Sequence, residues 1–147
     1  MPTREQIVAE ARTWLGVPWR HQGRDRVAID CAGLLELVGK ATGAINYTGP
    51  KDYRRESDGT KFLRHFARAG CREKSTALAK DGDILVFLVQ DGALPRHCGI
   101  RSTRNGIPSF IHSYGAPNWR KVVEDSLAGI WATHLVAVWE YPNIVGD

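Results

Sequence analysis

The sequence predicts an α+β fold, with helices leading and a mostly antiparallel sheet following. Two observations carry that expectation. Apolar residues recur at helical spacing in three early segments, each ending on a glycine, whereas from Asp81 onward the chain turns to short apolar runs separated by turn signals. At 147 residues, with 43% hydrophobic and 24% charged residues, the length suits one domain over residues 1–147 with a core of its own.

Thr3 with Gln6 matches a capping box, and Ile7, Val8, Ala11, Trp14 and Leu15 fall on one face of a helix that stops at Gly16 ahead of Pro18. "GVPWRHQGRDRVA" then reads as an irregular loop carrying Trp19 and His21. It ends where Asp30 can cap a second helix that runs through Leu34, Leu35 and Val38 to about Gly43. Residues 44–57 read as a turn-rich connection, and "DGTKFLRHFARAG" as a third helix built on Phe62, Leu63 and Phe66 with a stop at Gly70. "DGDILVFLV", "HCGIRS", "SFIHSY", "RKVVE" and "HLVAVWEY" supply five strands, the first apolar enough to be buried on both faces.

Composition excludes several classes of function. The longest apolar stretch, Ile84 to Val89, is too short to span a bilayer, and the charged amphipathic N-terminus reads as a chain made in a cytosol without a leader of its own. Cys31, Cys71 and Cys98 are odd in number and widely spaced, which argues against a disulfide framework and a zinc knuckle. The net charge of +4 is spread along the chain, so no nucleic-acid footprint is expected, although a mild positive potential suits an anionic polymer such as cell wall.

Candidate chemistry starts at Cys31, in the first turn of the second helix. A thiol reacts as the thiolate, and unpaired backbone N–H groups at a helix start favour that anion, while the neighbouring Asp30 opposes it unless capping occupies its charge. Taken alone, such a cysteine is more often a small core residue than a nucleophile. Of the five histidines, His65 reads as a helix-surface residue and His134 as the start of the last strand or a turn. His97 and His112 each interrupt an apolar strand and so require an explanation.

A turn at Asn105-Gly106 sets His112 opposite Gly99, and strand alternation then puts His97, Gly99 and His112 on one face, with Cys98 on the other, in the core. Pro108 is the residue that could shift this register through a bulge. The arrangement suits a thiol-imidazole catalyst in which His97 takes the Cys31 proton, His112 orients His97, and backbone N–H groups at the helix start, that of Cys31 included, bind an oxyanion. A metal site built from Cys31, His97 and His112, or two satisfied core histidines, are the other readings of the same residues.

Five segments in order resemble the NlpC/P60 cysteine peptidases, papain-like enzymes that cut peptides of bacterial cell wall. "ARTWLGVPWRHQG" is similar to a helix followed by a GxPY-type loop, "DCAGL" to DCSG[FL], "DGDILVF" to GD[LI]V[FL]F, "HCGI" to HVGI, and "FIHSYG" to FIHA. The resemblance implies a papain-like fold and a cysteine endopeptidase or amidase that acts on peptidoglycan stem peptides, for example at D-glutamyl-diaminopimelate. It implies Cys31 as nucleophile, His97 as general base and His112 as the orienting third member, with no metal and no cofactor. Trp19, where the family has a tyrosine, and His21 would line the oxyanion and substrate cleft beside Cys31. The indole N–H could replace the tyrosine hydroxyl, or the ring could only wall the cleft. "PWRHQ" resembles the phage-tail branch of the family, which implies phage tail-tip proteins as partners and action on the wall from a virion. A tail protein that keeps the fold without catalysis, or a thiol acyltransferase, remain the alternatives.

Overall fold

The computed structural model describes residues 1–49, 59–88, 97–115 and 120–146, the side chains of 59–63 excepted. Six strands form one sheet: β1 (Arg72–Lys74), β2 (Ile84–Phe87), β3 (His97–Arg104), β4 (Ile107–Tyr114), β5 (Lys121–Ser126) and β6 (Leu135–Glu140). Their order across the sheet is β1-β6-β2-β3-β4-β5, and each neighbouring pair is antiparallel. The helices are α1 (Arg4–Arg12), α2 (Cys31–Thr42), α3 (Gly59–Arg68) and α4 (Ile130–His134). The α+β expectation holds, and β1, α4 and a 3-10 turn at Thr76–Leu78 are added to it. Each is five residues or fewer, too short to show a period.

Helix α1 has the full capping box, with the Thr3 hydroxyl accepting from Gln6 N–H and the Gln6 side chain accepting from Thr3 N–H. It ends at Arg12, earlier than the Gly16 stop. Trp14 still reaches the core from the turn that follows, whereas Leu15 is exposed, because helical spacing no longer governs it. Helix α2 is capped by Asp30 and closed by Gly43, whose left-handed φ of 84° a residue with a Cβ would resist.

Residues Ile7, Val8 and Ala11 of α1 and Leu34, Leu35 and Val38 of α2 bury against Ile84, Val86, Cys98, Ile100, Ile111 and Val122 on one sheet face. Each large side chain removed from water there contributes about 1.5–3 kcal/mol, so α2 is held along its length and its first turn has little freedom. The opposite face carries a second cluster, Leu85, Phe87, Phe110 and Val138, partly covered by Leu127, Trp131 and Leu135. Strand β2 is thus buried on both sides, as its unbroken apolar run requires.

Strands β3 and β4 pair from Arg104 opposite Ile107 to Ile100 opposite Ile111 without interruption, the register set by a turn at Asn105-Gly106, and Pro108 introduces no bulge. Val89 of the predicted first strand and residues 50–57 of the connection lie outside the described residues. Among the described residues, no helix is long and apolar enough to cross a membrane.

Candidate active site

Asp30 fixes the start of α2. One of its oxygens accepts from Gly33 N–H at 2.8 Å and from Arg24 at 2.8 Å, and the other from Gln22 N–H at 2.8 Å. The Arg24 guanidinium lies between Asp30 and Glu36, so the Asp30 charge is paired within a nearly buried cluster. A capping side chain of this kind contributes about 0.5–2 kcal/mol. Here it also ties the 20–24 loop to the helix end. Ser113 Oγ on β4 donates to Ile29 carbonyl at 2.7 Å and holds the same corner from the sheet side.

Cys31 is half-buried, and its sulfur meets the first two residues of β3. Its pKa falls from 9.0 to about 5, lowered by the Cys98 thiol and the His97 ring beside it. The Cys98 bond is the largest cause. Burial opposes it, the bond and charge of His97 add to it, and Asp30 raises the pKa least of all, its charge being paired with Arg24. Cys98 itself is pushed well above its usual value, by burial first, and so stays a thiol able to donate.

His97 Nε2 lies 2.7 Å from His112 Nδ1, and His112 Nε2 lies 2.7 Å from Asp125 Oδ2. Both rings are buried, which lowers the pKa of each. Aromatic side chains account for the burial: Phe110 stacks on His112 at 4.2 Å, and Trp131 of α4 sits 5.5 Å from His97 and 5.1 Å from His112. Tyr114 closes the remaining side at 4.9 Å from His97. Between the histidines Gly99 leaves the required room, since a Cβ there would stand 2.9 Å from Ile111 carbonyl oxygen and 3.0 Å from His112 Cβ.

The structure therefore brings Cys31 beside His97 and links His97 to His112 by a hydrogen bond. The two histidines face each other through ring nitrogens and do not converge on a shared point, and among the described residues no group of three or more His, Cys, Asp and Glu is placed to hold a metal ion. The Trp19 indole packs on Gly115 at the end of β4, and its backbone N–H donates to Arg120 carbonyl at 2.8 Å. His21 is partly exposed on the loop that Gln22 N–H fastens to Asp30. His65 is half-buried and bonded to Tyr47 at 3.1 Å, so it is more than the surface residue its helix position suggests. His134 ends α4, one residue before the last strand.

Three participants were not singled out from the sequence. Cys98 is in the core, as alternation requires, yet it also touches the Cys31 sulfur, because α2 meets β3 at its first residues. Asp125 shares a face with Val123, which pairs with His112. Alternation along "VVED" would have exposed this had the β4–β5 register been known, but the strands end at Tyr114 and begin at Lys121, too far apart in sequence for a two-residue turn to fix the count. Trp131 lies in a five-residue helix that no periodicity marks.

No protein-family model and no curated protein matches the chain. Solved structures do. An NlpC/P60 family protein from Bacillus cereus superposes with a TM-score of 0.71 at 22% identity, covering 97% of this chain and 41% of that one. The NlpC/p60 domain of peptidoglycan hydrolase SagA gives 0.59 at 24% identity, over 92% of this chain and 97% of that one. An N-acetylmuramoyl-L-alanine amidase from Bacteroides uniformis gives 0.67 at 13% identity, over 95% and 99%. The chain has the fold of NlpC/P60 structures and spans less than half the length of the Bacillus cereus protein.

Proposed function

We propose that this chain is a cysteine peptidase that hydrolyses peptide bonds in peptidoglycan stem peptides, for example between D-glutamate and diaminopimelate. The observation that carries the reading is Cys31 set beside His97, with His97 hydrogen-bonded in turn to His112, and a thiol pKa that Cys98 and His97 lower to about 5. Sharing a fold with a peptidoglycan hydrolase domain and a muramoyl-alanine amidase supports the choice of substrate.

The Cys31 thiolate attacks the scissile carbonyl carbon. The oxyanion that forms is met by the N–H groups of Cys31 and Ala32, which have no carbonyl one turn earlier in α2 to bond. The proton released by the thiol rests on His97, which delivers it to the departing amine as the C–N bond breaks. His97 then takes a proton from water, the hydroxide attacks the thioester, and Cys31 is released with a free carboxylate product. His112 keeps the His97 ring in the plane that faces the sulfur. Trp19, on Gly115, and His21 form the cleft wall beside the helix start.

The setting that "PWRHQ" supports is a phage tail, with tail-tip proteins as partners and the wall opened from outside the cell. Incubating the purified chain with muropeptides of defined stem sequence and identifying new amino termini by mass spectrometry tests the activity. Absence of cleavage across stem types and pH overturns it. Detecting the chain in purified virions tests the setting, and its absence there removes the tail assignment.

A further inference from the structure

The hydrogen-bond line that begins at His97, beside Cys31, does not stop at His112. His112 Nε2 lies 2.7 Å from Asp125 Oδ2 on β5, where the carboxylate reaches the rim of the aromatic cluster and is 21% exposed. A carboxylate offers acceptors only, so this contact requires the proton on His112 Nε2. In the neutral ring Nδ1 is then bare. That Nδ1 lies 2.7 Å from His97 Nε2 and must accept, which puts the His97 proton on Nε2. His97 Nδ1 is left bare, and with Nε2 engaged by His112 it is the nitrogen that faces Cys31. The opposite set of tautomers would set a lone pair of His112 against the carboxylate and leave His97 with an N–H aimed at a thiol.

We propose that Asp125 is a positioning residue for the site, one that sets the direction of both imidazoles so that His97 presents a base to Cys31. One proton moves: the S–H bond of Cys31 breaks, an N–H bond forms at His97 Nδ1, and both Nε2 protons stay where they are. The resulting imidazolium donates through Nε2 to His112, and His112 donates to the carboxylate. A positive charge formed beneath Phe110, Tyr114 and Trp131, where water is excluded, thereby faces an aligned dipole that ends on a negative group. None of this passes a proton to Asp125. Its kinetic consequence rests on the thiol-hydrolase reading above, whereas the tautomer assignment stands on the hydrogen bonds alone.

The test uses the full chain, labelled with 15N in its histidine rings, and the variants Asp125→Asn, Asp125→Ala and Asp125→Glu. Long-range 1H–15N correlation near neutral pH is expected to report His112 as the Nε2–H tautomer and a proton on His97 Nε2 in the wild type. In Asp125→Ala one or both rings turn to Nδ1–H or to a mixture. Replacing the buried aspartate of a Ser-His-Asp triad with asparagine costs about 10⁴ in kcat. Asp125 lies one ring further from the nucleophile and is partly solvated, so a loss of about 10- to 100-fold is expected, with KM within about twofold and partial recovery in Asp125→Glu. The rate of Cys31 alkylation, which needs no substrate, falls in the same order. Asp125→Asn keeps the size of the side chain and serves where the alanine variant folds poorly. An Nδ1–H tautomer of His112, or a His97 Nε2 without a proton, in the wild type overturns the proposal, as does an Asp125→Ala protein that keeps both Nε2 protons and full alkylation rate. A wild type with the expected tautomers that cleaves no muropeptide overturns the peptidase reading and leaves the role of Asp125 to the tautomer and alkylation results.

Discussion

Replacing Cys98 with valine separates the neighbouring thiol from the helix end as the cause of Cys31 activation. The Cys31 pKa lies at about 5 against an ordinary 9.0, and the bond from Cys98 is the largest lowering influence. Valine fills nearly the same volume and cannot donate, so the buried position is kept while the bond is lost. A hydrogen bond to a charged group contributes about 1.5–3 kcal/mol, and about 1.4 kcal/mol corresponds to one pH unit. The midpoint of the alkylation rate against pH therefore moves up by about one to two units, nearer one because a thiol is a weak donor. Thiolate nucleophilicity rises as basicity rises, so the plateau rate in the variant increases by about threefold per unit while the rate on the acid side falls. Iodoacetamide labelling followed by peptide mass spectrometry reads each cysteine separately. Cys71, pushed up to about 12 by burial, and Cys98, higher than usual for the same reason, stay unlabelled over this range. Equal midpoints in the two proteins would refute the part given to Cys98, and a wild-type midpoint near 9 would refute activation altogether.

Cys31→Ala should abolish turnover with little change in fold, measured by muropeptide cleavage and thermal unfolding. Because the folded thiol loses its proton near pH 5 and the unfolded one near 9, the wild type should gain stability over the variant as pH rises through that window and lose the gain as pH falls through about 5. His97→Ala should reduce kcat more than His112→Ala, since proton transfer is harder to replace than orientation. Gly99→Ala should destabilise by about 1–3 kcal/mol in urea unfolding, because the added methyl meets the β4 backbone at 2.9 Å, and should depress activity by displacing His112. Asp30→Ala should cost about 3–5 kcal/mol, since it removes the cap and leaves Arg24 short of a buried partner. Full stability in that variant would contradict the pairing.

Much of the site was legible because its parts are fixed by local rules. Asp30 before an apolar helical run is a cap, Asn105-Gly106 sets a two-residue turn, and a two-residue turn fixes the register that brings His97, Gly99 and His112 to one face. The sequence by itself thus determined the α+β order, the helix start that holds Cys31 and the facing of the two histidines. Tertiary structure alone decided what meets the sulfur and what ends the line. Cys98 points to the core by alternation yet touches Cys31, because helix and strand cross at the beginning of β3, and no pattern within either segment encodes where two elements cross. Asp125 reaches His112 across a strand pair joined by a longer connection, whose register follows from packing and not from a turn type. Local spacing constrains side-chain direction, but the distance between groups remote in sequence follows from how whole elements pack.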